Sequence, residues 1–396
     1  MALIDNIKRI SIAQAEEVVS FRRHLHAHPE LSYEEFNTAK FIAEKLRSFG
    51  LTPQEGVATT GVVVLIEGKN PKRKTVALRA DIDALPINEE NNVTYKSINK
   101  GVMHACGHDV HTSSLLGTAK ILNSIKDQFE GTVKLIFQPG EEKNPGGASY
   151  MINEGVLQNP APESIMGQHV MPLLPVGKIG FREGVYMASS DELYLKVIGK
   201  GGHGAAPELT VDPIVIASHI ILGLQQIISR NANPKQPTVL TFGSISGKGA
   251  TNIIPDEVNI AGTFRALNEE WRASGLQKIV KMAEGIADSM GAKCDVTISH
   301  GYPYLQNNPA LTKRIRKAAE EYVGTENVVD LELAMGSEDF AYYSHLIPAS
   351  FYRLGTRNDS KGITSYVHTP TFDIDEEALE IGPGLMAWMA ICELNS

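Results

Sequence analysis

Residues 132–142 read Thr-Val-Lys-Leu-Ile-Phe-Gln-Pro-Gly-Glu-Glu, an apolar, β-branched run that breaks at Pro139-Gly140 and delivers two carboxylates. The first six residues predict a strand, and the breaker pair places Glu141 and Glu142 in the turn beyond its C-terminal end. The same form recurs on either side. Residues 75–78 run into Arg79-Ala80-Asp81-Ile82-Asp83, residues 62–66 form another apolar run, and 164–169 predict a strand that ends on His169. Helical spacing lies between these strands, at 113–125 and around 148–154. It also precedes them, at 36–46, where Ser32-Tyr33-Glu34-Glu35 has the form of a capping box. Alternation of this kind predicts an α/β unit whose mixed, mostly parallel sheet is sandwiched by helices, with a ligand crevice at the carboxyl ends of the strands.

Beyond Ser189 the pattern changes. Residues 193–198, 238–245, 258–264 and 294–299 predict antiparallel strands, with long helices at 213–229 and 269–290. The resulting strand-helix-strand-strand-helix-strand order is that of a ferredoxin-like α+β insert. The expected division is therefore 1–187 and 301–396 for one domain, with 188–300 inserted.

The composition narrows the function classes. With 37 Lys and Arg against 46 Asp and Glu, the 396-residue chain has a net charge of −9 and shows no concentrated basic patch, which argues against nucleic acid or an anionic membrane as partner. Its first residues lack the apolar core of a signal peptide, and no run approaches the roughly 20 apolar residues that span a bilayer. The most apolar run, 214–224, is short enough for a buried helix. Three scattered cysteines, Cys106, Cys294 and Cys392, argue against a disulfide framework and fit a reducing cytoplasm.

Chemistry concentrates in a few places. Residues 103–111, Met-His-Ala-Cys-Gly-His-Asp-Val-His, pack three histidines, a cysteine and an aspartate into nine positions. A thiolate and an imidazole separated by a flexible glycine can face one metal ion, although a His-rich polar loop also arises by chance. The Glu141-Glu142 pair suits metal-assisted hydrolysis, where one carboxylate ligates and the other moves protons; alone it reads as a solvated turn. His169 and His368 taken singly are ordinary histidines, but both fall where the sheet places its crevice. Asp81 and Asp83 share a face if the strand geometry persists, as supports for a nearby histidine or as loop caps. Three other patterns carry less. Gly199 to Gly204 matches G-x-G-x-x-G without a following helix, Gly243 to Gly247 puts Ile245 where a nucleophilic serine would stand, and His24, His26 and His28 precede the first strand.

Together the stretches RRHLHAHPELSYEE, LRADIDALPI, MHACGHDVHT, FQPGEE, GKGGHGAAP, TNIIPDEV, MGSEDFAYY and VHTP resemble, almost end to end, the amidohydrolase branch of the aminoacylase and carboxypeptidase-type di-metal metallopeptidases. That resemblance implies two divalent ions per subunit, zinc or manganese, with cobalt or nickel as alternatives. Cys106 would bridge them, His108 and His169 would complete one site, and Glu142 and His368 the other. Glu141 would be the general base and Asp83 the aspartate that supports the site. Asp81 stands where other branches carry a ligating histidine. The insert would be a lid and dimerisation domain, making a homodimer or a dimer-based tetramer. Its His203 would reach the neighbouring subunit's active site, and Asn252, Arg265, Gly336, Ser337 and Glu338 would line the substrate pocket. The implied activity is hydrolysis of the amide of small N-acyl amino acids. A dipeptidase or carboxypeptidase on the same site, a Cys106 nucleophile and a non-catalytic sensor of amino-acid conjugates are the alternatives.

Overall fold

The computed structural model describes residues 2–396. In chain order it begins with helices α1 (Leu3–Ala13), α2 (Ala15–Ala27) and α3 (Phe36–Ser48), then strands β1 (Gln54–Val57), β2 (Gly61–Glu67) and β3 (Thr75–Asp81). Helix α4 (His108–Ser124) leads to β4 (Thr132–Gln138), and α5 (Gly147–Asn153) to β5 (Ser164–Pro175), β6 (Ile179–Phe181) and β7 (Gly184–Met187). There follow β8 (Asp191–Ile198), β9 (Gly202–His203), α6 (Pro213–Gln226), β10 (Val239–Gly247), β11 (Ile253–Ile254), β12 (Glu257–Arg265), α7 (Glu269–Ser289) and β13 (Lys293–His300). The chain ends with β14 (Leu305–Asn307), α8 (Pro309–Val323), β15 (Val328–Asp330), α9 (Ala341–Ser344), β16 (Ala349–Arg357) and α10 (Ala378–Leu394).

These elements form two units. The first takes residues up to Tyr186, Gln306–Leu333 and Asp339–Ser396; the second takes Met187–Leu305 and Ala334–Glu338. The short stretch Ala334–Glu338 thus packs with the second unit, although sequence places it well inside the returning portion of the first.

The first unit is built on an eight-stranded sheet in the order β1-β2-β4-β3-β5-β16-β6-β15. Its centre, β4-β3-β5-β16, is parallel, and antiparallel strands join at both sides. Every residue of β3 and β4 is buried, as a parallel strand covered on both faces requires. On one face lie α4 and α10. The latter is apolar all round, with buried residues on every side, which marks a core helix rather than a surface one.

Four local expectations are corrected. The residues of the expected capping box do not cap α3: no side chain of Glu35 serves its N-terminus, and the carboxylate of Glu30 accepts from the amides of Asn37 (3.2 Å) and Thr38 (2.8 Å) instead. Helix α4 starts at His108 rather than at 113, because Gly107 takes a left-handed φ of 84° that turns the chain directly into it. Strand β5 continues past His169 to Pro175 beside β16, while its pairing with β3 stops at Gly167. His169 therefore lies level with Asp81, the last residue of β3.

The fourth concerns α6. With its following turn it spans Pro213–Asn231, the one segment among the described residues long and apolar enough, by length and composition, to cross a membrane. It is amphipathic rather than buried. Ile216, Ala217, Ile220 and Leu224 enter the second unit's core, while Ile214, Val215 and Leu222 are exposed.

In the second unit, β10-β12-β8-β13 form an antiparallel sheet, with α6 and α7 packed against each other and against its strands. Alternate residues of β8 (Asp191, Leu193, Leu195 and Val197) are buried, the period expected of a sheet covered on one face. A separate ribbon pairs β9 with β11.

Candidate dinuclear metal site

Because β3, β4 and β5 run parallel, whatever follows them in sequence meets at one edge of the sheet. Asp83 lies beyond β3, Glu141 and Glu142 follow the Gln138-Pro139-Gly140 turn after β4, and His169 sits on β5. Gly107 brings Cys106 and His108 to the same edge. His368 arrives from the loop before α10 with a strained φ of 61°, its amide donating to Ala105 O at 2.7 Å. Left-handed backbone at a residue with a β-carbon is the kind of strain that clusters at functional sites.

At the centre lies the buried sulfur of Cys106. His169 Nε2 is 3.4 Å away on one side and His368 Nε2 3.3 Å on another. Cys106, His108 and His169 form one group whose potential ligand atoms all lie within 4.8 Å of one another, and Cys106, Glu142 and His368 form a second. Sequence positions 106, 108, 142, 169 and 368 are thus brought together around one thiol.

The hydrogen bonds aim these groups inward. His169 Nδ1 donates to Val170 O (2.7 Å), and His108 Nδ1 to Asp83 O (2.9 Å) and Asp83 Oδ1 (3.2 Å), so both rings turn an Nε2 lone pair toward the cluster. His108 Nε2 and Glu142 Oε1 are buried and have no hydrogen-bond partner; Glu142 Oε1 lies 3.1 Å from His368 Nε2 without the alignment of a bond. Buried polar atoms without partners are costly. Sulfur, imidazole and carboxylate donors left open around one point fit divalent first-row ions, which would satisfy all of them.

The electrostatics agree with a centre built for cations. Burial pushes the Cys106 thiol up, and Glu142 adds to this, so without a cation the thiolate is disfavoured. The thiol and Glu142 together push His368 up to about 10. Burial, with Arg353 nearby, holds His169 well below the usual imidazole range, leaving it neutral and able to ligate.

A supporting layer lies behind the cluster. His111 Nδ1 donates to Asp81 Oδ1 at 2.5 Å, and its Nε2 accepts from Val170 N at 2.9 Å. Both nitrogens are committed, so His111 is one layer back. Buried Arg79 joins Asp81 (2.6 Å), Asp339 (2.6 Å) and Gln138 (3.0 Å), and the Asp339 amide faces Glu141 Oε1 at 3.4 Å. His104 is buried with neither ring nitrogen bonded, and burial drops it to about 4. His26 belongs to another network, bonded to Asp109 and Glu89 beside Arg22. Sequence reading did not single out Arg79, Gln138 or Asp339. The available signal was their position, since each stands within three residues of a motif carboxylate.

The remaining candidates lie in the second unit. His203 is exposed on β9, where its Nδ1 accepts from Ala205 N at 3.1 Å, and Gly204 N donates to Asn252 O at 2.9 Å. Arg265, at the end of β12, donates to Met335 O at 3.1 Å, and Gly336 O accepts from Ala188 N at 3.0 Å. Ser337 and Glu338 continue that segment, with Glu338 buried.

A mixed α/β sheet with a cluster of metal-ligating groups at its strand ends defines a metal-dependent hydrolase. Residues 77–390 match the model of peptidase family M20/M25/M40, and the chain belongs to that family. It is 40% identical over 395 residues to thermostable carboxypeptidase 2 of Saccharolobus solfataricus, covering 99% of both chains. It is 41% identical over 364 residues to the N-acetyl-L-cysteine deacetylase of Bacillus subtilis, covering 92% of this chain and 85% of that one. Among solved structures, the YXEP protein of Bacillus subtilis, described as a dinuclear metal binding peptidase from the M20 family, superposes with a TM-score of 0.81 at 36% identity, covering 97% and 99%.

Proposed function

We propose that this hydrolase cleaves the amide of N-acyl-L-amino acids, releasing the amino acid and a carboxylic acid. The observation that carries the reading is the unequal pair at one turn: both carboxylates come within ligand range of His108, but only Glu142 also groups with Cys106 and His368, while Glu141 faces the Asp339 amide. In this reading Cys106 is shared, His108 and His169 serve one ion, and Glu142 and His368 the other. Two divalent ions, zinc or manganese, held there would polarise the scissile carbonyl and acidify the attacking water. Glu141 accepts that water's proton and passes it to the departing amino-acid nitrogen. Asp83 keeps His108 in the ligating tautomer.

The acyl-amino-acid substrate is supported by the deacetylase relative and by the resemblance carried on the sequence motifs. The same resemblance supports a dimer in which His203, supplied by a second copy of the chain, stabilises the developing oxyanion. Asn252, Arg265, Gly336, Ser337 and Glu338 would hold the rest of the substrate. We place the enzyme in the cytoplasm, in keeping with three unpaired cysteines. A carboxypeptidase reading is favoured by the Saccharolobus relative, which matches over nearly the whole chain.

One assay separates the two. The protein is stripped with a chelator, reloaded with Zn, Mn, Co or Ni, and given N-acetyl, N-benzoyl and indole-acyl amino acids beside dipeptides and longer peptides. The expected outcome is metal-dependent hydrolysis with the highest kcat/KM on an N-acyl amino acid. Preference for peptides selects carboxypeptidase activity, and full activity without metal rejects both readings.

A further inference from the structure

Residues 30–35, Glu-Leu-Ser-Tyr-Glu-Glu, are far in sequence from the cluster, and the chemistry above gives them no task. They nevertheless lie against the turn that carries Glu141 and Glu142. The Ser32 hydroxyl donates to Asp83 Oδ2 at 2.7 Å, and the same oxygen accepts the Glu142 amide at 2.9 Å. The Tyr33 hydroxyl donates to Lys143 O at 3.0 Å, just past the pair. Glu35 is fully buried: its Oε1 accepts the Gly140 amide at 2.8 Å and its Oε2 the Thr60 hydroxyl at 2.6 Å. Gly140 has a φ of 63°, and a β-carbon there would stand 2.3 Å from a ring carbon of Tyr33, so the ring lies directly on the turn. Tyr33 itself has a φ of 68°. The segment is anchored from behind, where Ala84 N donates to Glu30 O at 2.8 Å.

A buried carboxylate is expensive unless it is hydrogen-bonded, and the helix that follows does not use this one. Its partners are instead a turn amide and a hydroxyl. We propose that residues 32–35 are a strap fixing the turn that bears Glu141 and Glu142, with Glu35 as the positioning residue that acts through the Gly140 amide. The inference rests on the roles given to Glu141 and Glu142 above. Neither Glu35 nor Tyr33 touches substrate in this scheme; they set where the base and the ligating carboxylate stand.

The test compares Glu35→Ala with Glu35→Gln, which keeps an acceptor for the Gly140 amide and can still bond Thr60. Metal-free protein is titrated calorimetrically with Zn2+ or Mn2+, and kcat and KM are then measured at saturating metal. Loss of the acceptor should weaken one of the two binding events about 10- to 100-fold, the range for a lost outer partner of a ligand. It should also lower kcat about 100-fold at nearly constant KM, as a misplaced group does. Glu35→Gln should return both to the wild-type range. Unchanged metal affinities and kcat in Glu35→Ala, or a Gln variant as impaired as the Ala variant, would overturn the strap. Should Glu35→Ala not fold, Tyr33→Ala tests the same turn from its partly exposed side: weaker binding of one ion supports the strap, and unaltered binding overturns it. Because the titration needs no substrate, a wild type inactive on every N-acyl amino acid would defeat the proposed activity while the strap is still judged by metal affinity.

Discussion

Glu141 and Glu142 are adjacent and both approach His108, yet only Glu142 groups with Cys106 and His368, and substituting them should have different signatures. Glu141→Ala is expected to lower kcat by about 10²–10⁴-fold, the range for a lost general base, with metal content by mass spectrometry unchanged. Loss of metal instead would mean that the two roles are exchanged. Glu35 gives a pH-dependent prediction. Burial, with Asp83 near, raises its carboxyl from 4.5 to about 7, so the fold favours its protonated form. Its contribution to stability is then complete below the unfolded value and lost as pH rises through the folded one. Glu35→Gln removes that loss, so its Tm relative to wild type should be higher at about pH 8 than at about pH 5. An equal Tm difference at the two pH values would count against the shift. At this scale Cys106 and His108 stood out as part of a dense run of histidine, cysteine and aspartate, and the Glu pair as carboxylates just beyond a strand. Ser32 and Glu35 were misread as a helix cap, since a Ser-x-x-Glu pattern is the same whether its oxygens serve a helix or a distant turn.

Among the elements, the crossing of α4 with α10 fixes the position of the helix start that carries His108. Gly117 of α4 meets Pro383 of α10 and Val18 of α2 so closely that a β-carbon would lie 2.9 Å from each. Gly117→Val should therefore cost about 1–3 kcal/mol by overpacking, read as a lowered denaturation midpoint with kcat of the surviving folded protein retained. A wild-type midpoint would show that the helices can separate at no cost. Strands β3 and β4 were readable because a fully buried parallel strand is a continuous apolar run. The start of α4 was not, because His108, Asp109 and His111 look like a polar loop; burial of every residue of its first turns depends on neighbours that no local pattern shows. The length of β5 was hidden in the same way. Past Gly167 only β16 pairs with that strand, and β16 lies far along the chain.

At the level of the whole molecule, the proposed dimer can be tested by mixing. Chains carrying Glu141→Ala and chains carrying His203→Ala are each expected to be inactive. Unfolded and refolded together in equal amounts, they should regain about a quarter of wild-type activity if the histidine serves the other subunit, since half the dimers are hybrids with one intact site. No recovery would assign His203 to its own chain or to no site at all. The strand pattern changes near Ser189, and the second unit begins at Met187. The return of Ala334–Glu338 to the second unit was not legible, because so short a segment carries no periodicity of its own.

The placement of β16 has a consequence for how the protein is made. This strand fills the sheet between β5 and β6, but the whole second unit is synthesised before it. While the ribosome is still translating, β5 and β6 wait with unpaired edges, the state in which nascent chains are most prone to aggregate and to engage chaperones. His368 leaves the exit tunnel later still. With His368 as a proposed ligand, complete metallation would follow the synthesis of β16 and would not be a nucleus around which the chain folds.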